Sequence, residues 1–259
     1  MPVILAIANQ KGGVGRTTVT LNLGAALAER ERRVLLIDLN PQADLSFLLN
    51  IESGAHRMIQ DLLLKPGEDN SAAILQTQEK GLNAITASRE LVLAEQEVCN
   101  PIGQRATVLS TALARIPEIH SYHYVLIDCP GRLGGLNTIA LAASDQVLVV
   151  LRATNTSVIG LERTQDEVEH VRQHYNPRVK MMGALLNQYQ KRAPSEARVR
   201  DDVKLKVNGA LFEAVISFTN QVEKAEVARC SVVRWAPKSK AANEFRTLAE
   251  EVEARAHVS

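Results

Sequence analysis

From Lys11 to Thr18 the chain reads Lys11-Gly12-Gly13-Val14-Gly15-Arg16-Thr17-Thr18: three glycines, two cations and two hydroxyls in eight residues. Glycines let a backbone close around an anion, and a helix starting directly after such a loop adds its free N–H groups and the positive end of its dipole. The chemistry this serves is phosphate binding, with the backbone N–H groups of Gly13 to Thr18 as the cradle. The usual phosphate loop, G-x-x-x-x-G-K-[ST], is missed twice, by Gln10 at its first glycine and by Arg16 at its lysine. Two acids occupy equivalent places further on: Asp38 closes the apolar run Val34 to Ile37, and Asp128 closes Tyr124 to Ile127. One acid at the end of a buried strand is ordinary. A glycine loop and two such acids in order make a nucleotide site the better reading.

These residues need a rigid support, and the apolar pattern supplies one. Val3 to Ala8 is a short apolar run before the loop, and Thr17 to Glu29 has helical spacing through Leu21, Leu23, Ala26 and Leu27. Val147 to Leu151 and Met181 to Leu186 read as further buried strands. Helices are expected over about 105–116, 135–143, 158–175 and 239–256, the last capped by Ser239, and a charged one from Pro194 to Asn208. Strands alternating with helices over the whole chain imply an α/β fold, a doubly wound, mostly parallel sheet with helices on both faces. With no repeat, low-complexity tract or linker, residues 1–259 read as one domain. The 50–80 segment is the least regular and is expected to carry short surface helices.

Composition narrows the function classes. Hydrophobic residues make up 46% and charged residues 23%, which excludes a disordered chain. No apolar run reaches the roughly 18–20 residues of a membrane span, and the start, MPVILAIANQKGG, places its charge after the apolar stretch, opposite to a signal peptide. The expected location is therefore the cytoplasm. Aromatic residues are only 3%, too few for a base-stacking platform, so the core must be aliphatic. Cys99, Cys129 and Cys230 are widely separated, which argues against disulfides or zinc; they read as buried small residues. His170 and His174 stand at i, i+4 but lack the H-E-x-x-H context of a zinc site, and read as exposed. The formal net charge of +1 hides a basic excess beyond residue 177, a pattern shared by polyanion-binding faces and ordinary solvated surfaces.

The segment around Lys11 resembles the deviant phosphate loop x-K-G-G-x-x-K-[ST] of the ParA/MinD ATPases, with Lys11 at the early signature lysine. The resemblance continues through Asn22-Leu23-Gly24-Ala25, Arg33 to Gln42, Val125 to Pro130, Pro237 to Ala242 and Leu248 to Val252. It implies ATP and Mg²⁺ as cofactors, with Gly12, Gly13, Val14, Gly15, Arg16, Thr17 and Thr18 binding nucleotide and Asn187 near the adenine. It further implies Thr17, Asp38 and Asp128 around the metal, and Lys11 reaching the phosphates of the partner in a sandwich homodimer. The implied partners are nonspecific double-stranded DNA and a ParB-like centromere-binding protein that stimulates release, and the implied location is nucleoid-associated. The phosphate loop begins so near Met1 that no N-terminal helix-turn-helix domain is expected. A C-terminal helix with four Glu against two Arg over 244–255 is unlike the basic membrane tail of MinD, so no membrane partner is expected.

Three departures bear on activity. Arg16 replaces a lysine, and its planar fork is not equivalent to a compact ammonium. Asn40 replaces the water-positioning acid of the family and carries no charge. Lys11, Arg16, Asp38 and Asn40 thus form the expected catalytic set, with hydrolysis weakened by positions 16 and 40. The stretch Ser217 to Gln221 is neutral where the family carries a basic DNA contact, leaving Lys191, Arg192, Lys204, Lys206, Lys224, Arg229, Arg234, Lys238 and Lys240 as candidate phosphate contacts. Two alternatives stand beside the partition ATPase: a catalytically dead, nucleotide-locked scaffold, and a dehydrogenase, which the missing G-x-G-x-x-G disfavours.

Overall fold

The computed structural model describes residues 1–51, 56–99, 106–132, 134–190 and 193–256; the candidate DNA contact Arg192 and its neighbour Lys191 lie outside them. Eight strands form one sheet: β1 Val3–Ala8, β2 Val34–Asp38, β3 Leu75–Gln76, β4 Leu82–Ile85, β5 Tyr124–Asp128, β6 Gln146–Leu151, β7 Lys180–Tyr189 and β8 Leu211–Ser217. Their order is β3-β4-β2-β5-β1-β6-β7-β8, and every pairing is parallel except the short β3–β4 ladder. The expected doubly wound fold is present.

Side chains of a strand alternate between faces, and here both faces are apolar. Leu5, Ile7, Leu36, Leu126, Leu148 and Val150 join one core cluster, while Ala6, Ala8, Leu35, Ile37, Ile127 and Val149 join the other. The first cluster is covered by α1 (Arg16–Glu29), α10 (Val232–Trp235) and α11 (Lys240–Ala256), with α2 (Asp44–Leu48) and α9 (Asn220–Val227) at its margin. The second is covered by α3 (Ile59–Leu64), α4 (Leu91–Val98), α5 (Val108–Ala114), α6 (Gly135–Ala143), α7 (Asn155–His174) and α8 (Pro194–Lys206). The Ser239 hydroxyl accepts from Ala242 N–H at 3.1 Å, so the expected cap of the last helix forms.

Several expectations need correction. The helix placed at 105–116 is shorter, Val108–Ala114, and the one placed at 158–175 begins earlier, at Asn155. The helix expected through Asn208 stops at Lys206, because Asn208 and Gly209 take left-handed backbone angles. Within 50–80, α3 is not a surface helix: Ile59, Leu62 and Leu63 are buried in the core. The strands β3, β4 and β8 were not expected at all. Of the three cysteines only Cys129 is buried, since Cys99 and Cys230 are part-exposed.

The β8 edge of the sheet is capped from α11. Glu251 accepts from the backbone N–H groups of Glu213 (3.0 Å) and Ala214 (2.9 Å), and Glu244 from that of Ser217 (2.8 Å). Free N–H groups on an edge strand are sites for unwanted pairing, and carboxylates that accept from them block it.

Candidate nucleotide-binding site

The loop between β1 and α1 lies at the carboxyl ends of the central strands, where open α/β sheets bind ligands. Gly13 (φ 72°) and Gly15 (φ 85°) take left-handed angles that a side chain would strain. Gly15 is also approached closely: a Cβ there would stand 2.3 Å from Nδ2 of Asn187, which donates to the Val14 carbonyl at 2.8 Å. Asn187, expected near a base, is thus buried against the loop with its amide nitrogen already engaged.

Parallel pairing of β2 with β5 sets Asp38 level with Asp128. Asp128 Oδ2 accepts from the Thr17 hydroxyl at 2.7 Å, while its Oδ1 is buried and has no hydrogen-bond partner. Asp38 accepts from Ser46 N–H (2.9 Å), the Ser46 hydroxyl (2.7 Å) and Asn40 N–H (3.0 Å). Burial pushes both carboxyls above the ordinary aspartate range. The charge of Asp38 pushes Asp128 further, whereas the bonds from Ser46 and Asn40 hold Asp38 back. An orphaned carboxylate oxygen beside a threonine hydroxyl is a hard-oxygen donor set, and a divalent cation is what it fits.

Arg16 is buried and Lys11 half-buried, and both side chains are engaged within the chain. Arg16 is 9% exposed and donates to the carbonyls of Asn9, Lys11 and Cys129; burial lowers its pKa, against the pull of Asp128. Lys11 Nζ donates to the hydroxyls of Thr154, at 3.1 Å, and Thr156, both of the same chain. Asn40 is 7% exposed, and its only side-chain oxygen accepts from Gln42 N–H at 3.2 Å.

Between the loop and the β2–α2 connection lies a cavity of about 1110 Å³, bordered by Gly12, Gly13, Gly15, Arg16, Thr17 and Thr18 on one side and by Asn40, Asp44 and Phe47 among others. Sequence reasoning missed several of its residues. Arg132 follows Pro130 and Gly131 directly, close enough to the Asp128 motif to be suspected, and pairs with Glu95 at 2.6 Å. Arg89 and Glu226, which accepts from the Thr18 hydroxyl at 2.6 Å, carry no local signal and come to the cavity only through the fold.

The candidate DNA contacts lie on separate elements. Lys204 and Lys206 are on α8, Lys224 on α9, Arg229 just beyond it, and Lys238 and Lys240 lead into α11. Lys206 is paired with Glu162 at 2.5 Å and Lys240 with Glu244 at 3.3 Å. Arg229 stacks 4.2 Å over the ring of Phe47 and donates to Asn50, which places it at the rim of the same cavity. Lys204, Lys224 and Lys238 are exposed. His170 and His174 stack on each other at 4.4 Å on the exposed face of α7.

A family profile described as an AAA domain, AAA_31, matches residues 2–181. The chromosome partitioning protein ParA of Caulobacter vibrioides is 36% identical over 97% of this chain and 94% of its own length. The sporulation initiation inhibitor protein Soj of Bacillus subtilis is 33% identical over 98% of this chain and 99% of its own. Among solved structures, cobyrinic acid a,c-diamide synthase from Mycobacterium smegmatis superposes with a TM-score of 0.84 at 31% identity, covering 100% of this chain and 96% of that one. Its form with ADP and magnesium superposes at 0.80 with 32% identity over 96% and 93%. Matched by these relatives almost end to end at about a third identity, the chain belongs to the ParA family of phosphate-loop partition ATPases.

Proposed function

We propose that this chain binds ATP with Mg²⁺ in the cavity above the Gly12–Thr18 loop, pairs with a second copy of itself in that state, and then holds duplex DNA nonspecifically until a ParB-like partner promotes hydrolysis. The observation that carries the reading is the orphaned Asp128 Oδ1 beside the Thr17 hydroxyl, level with Asp38, at the mouth of a glycine loop. Backbone N–H groups from Gly13 to Thr18 bind the phosphates, Thr17 and Asp128 hold the cation and Asp38 supports its shell. When bound, the cation neutralises charge that develops on the phosphates. The hollow of about 150 Å³ lined by Asn187, Gln188, Phe218 and Thr219 receives the base side of the nucleotide.

Hydrolysis is expected to be slow. Phosphoryl transfer depends on positioning and electrostatics, and here Arg16 is engaged by three carbonyls while the lone side-chain oxygen of Asn40 is engaged by Gln42 N–H. Asn40 keeps a second oxygen lone pair and its N–H donors, which orient a water, but a neutral amide takes no proton from it. These two engagements also favour the second reading, a nucleotide-locked scaffold that positions cargo without cycling; phosphate release with DNA and partner separates the two.

Lys11 tests the dimer. Its ammonium must leave Thr154 and Thr156 to reach a partner's phosphates, so mass by light scattering should double with ATP and Mg²⁺ for the parent and stay monomeric for Lys11→Ala. Equal dimerisation of both proteins sinks the sandwich arrangement.

A further inference from the structure

The guanidinium of Arg16 lies beneath the loop, with Nη1 donating to the carbonyls of Asn9 (2.8 Å) and Lys11 (2.7 Å) and Nε to that of Cys129 (3.0 Å). The remaining nitrogen, Nη2, faces Gly131. A Cβ built on Gly131 would stand 2.3 Å from Nη2, 3.3 Å from Cζ and 3.5 Å from Cα of Gly12. Gly131 is not among the glycines with left-handed φ, so its backbone would admit a side chain, and only space forbids one. Nor can the guanidinium swing aside freely, because three bonds from two of its nitrogens fix its plane in a buried setting. A lysine ammonium has no second arm and would leave that space open.

We propose that Gly131 is the positioning residue for Arg16: the missing side chain at 131 opens the slot that holds the guanidinium across the three carbonyls, and the two residues act as one device that sets the shape of the phosphate loop. A trans peptide points its C=O and the following N–H in opposite directions. Drawing the Lys11 carbonyl onto Arg16 therefore turns the Gly12 N–H away from the guanidinium, and the arginine shapes the phosphate cradle through the backbone it anchors. An arginine is accommodated at this loop position because the glycine three residues after Asp128 makes room for it.

The inference rests on the nucleotide reading only for its second readout. Four proteins are compared: the parent, Gly131→Ala, Arg16→Lys and the double variant. The readouts are the melting temperature without nucleotide and the affinity for ATP with Mg²⁺ by calorimetry. An overpacked Cβ is expected to lower the melting temperature and weaken ATP about tenfold in the Arg16 protein. In the Arg16→Lys background the same change is expected to cost less than about twofold, the mark of direct coupling. Equal losses in both backgrounds, or none in either, overturn the pairing. Should Gly131→Ala alone fail to fold, the double variant is expected to fold, and its failure overturns the pairing as well. If none of the four binds ATP, the nucleotide reading fails while the melting temperatures still decide the pairing.

Discussion

Asp128→Asn is expected to stabilise the protein without nucleotide while removing its metal binding. Asp128 is fully buried, one of its oxygens has no partner, and Asp38 is its register neighbour on the adjacent strand. Burial first, and then the Asp38 charge, raises its native pKa above the unfolded value. A native carboxyl with a raised pKa holds its proton more tightly than the unfolded chain does. Its stability is therefore fully present below the ordinary aspartate pKa, about 3.9, and is lost progressively as pH rises through the native value. Each unit of upward shift costs about 1.4 kcal/mol once the pH exceeds the native value. Asparagine keeps an oxygen for the Thr17 hydroxyl and removes the buried charge, for a gain on the order of 2 kcal/mol at pH 8. In a chain of this size that corresponds to a rise of about 4–8 °C in melting temperature. Thermal melts in chelator from pH 5 to pH 8.5 measure it: the two curves should separate with rising pH, the variant above. A variant that melts below the parent at pH 8, or a gap independent of pH, refutes the picture of Asp128 as a buried charge held ready for a cation.

Restoring both Arg16→Lys and Asn40→Asp should raise kcat, measured with DNA and partner at saturation, by more than the product of the single gains, because both residues act on one step; a parent already as fast as the double revertant would show that Arg16 and Asn40 are working substitutes. ATP-loaded protein should bind duplex DNA with an affinity that falls steeply with salt, and Lys224→Ala, which removes an exposed cation, should reduce the slope of log affinity against log salt by about one; an unchanged slope removes Lys224 from the interface. Glu253 is nearly buried and accepts from Arg30 (2.6 Å) and Arg32 (2.5 Å). Burial acts to raise its pKa, but the bonds from Arg32 and Arg30 prevail and lower it, so this contribution is present above the ordinary glutamate range and fades as pH falls through the native value. Glu253→Gln should cost on the order of 2 kcal/mol at pH 7 in denaturant melts and less near pH 3; an equal cost at both pH values contradicts the ionic account.

The central strands and the loop between β1 and α1 were legible in the sequence because their signals are local. An apolar run followed by glycines, or ended by an acid, needs no distant partner to be read. Leu82–Ile85 escaped because it is short, and Leu211–Ser217 because it mixes buried with exposed positions, so neither pattern stands out before the sheet pairs it. Side-chain direction was equally hidden. Sequence placed Lys11 and Arg16 at the loop and Asn187 near the adenine, but which carbonyl or hydroxyl each one meets depends on Cys129, Thr154 and Val14. The basic residues show the same divide: composition gave an excess of cations beyond residue 177, whereas Glu162 and Glu244 decide which of them are already partnered.

Because α11 follows β8 in the chain, the carboxylates that seal the edge strand are made after the strand itself. During synthesis at roughly 5–20 residues per second, β8 leaves the ribosome some seconds before Glu244 and Glu251 can reach its N–H groups. For that interval the nascent sheet presents an unguarded border to any extended neighbour. Docking of α11 closes that interval, because Glu244 and Glu251 then occupy the N–H groups of β8 that an extended neighbour would use.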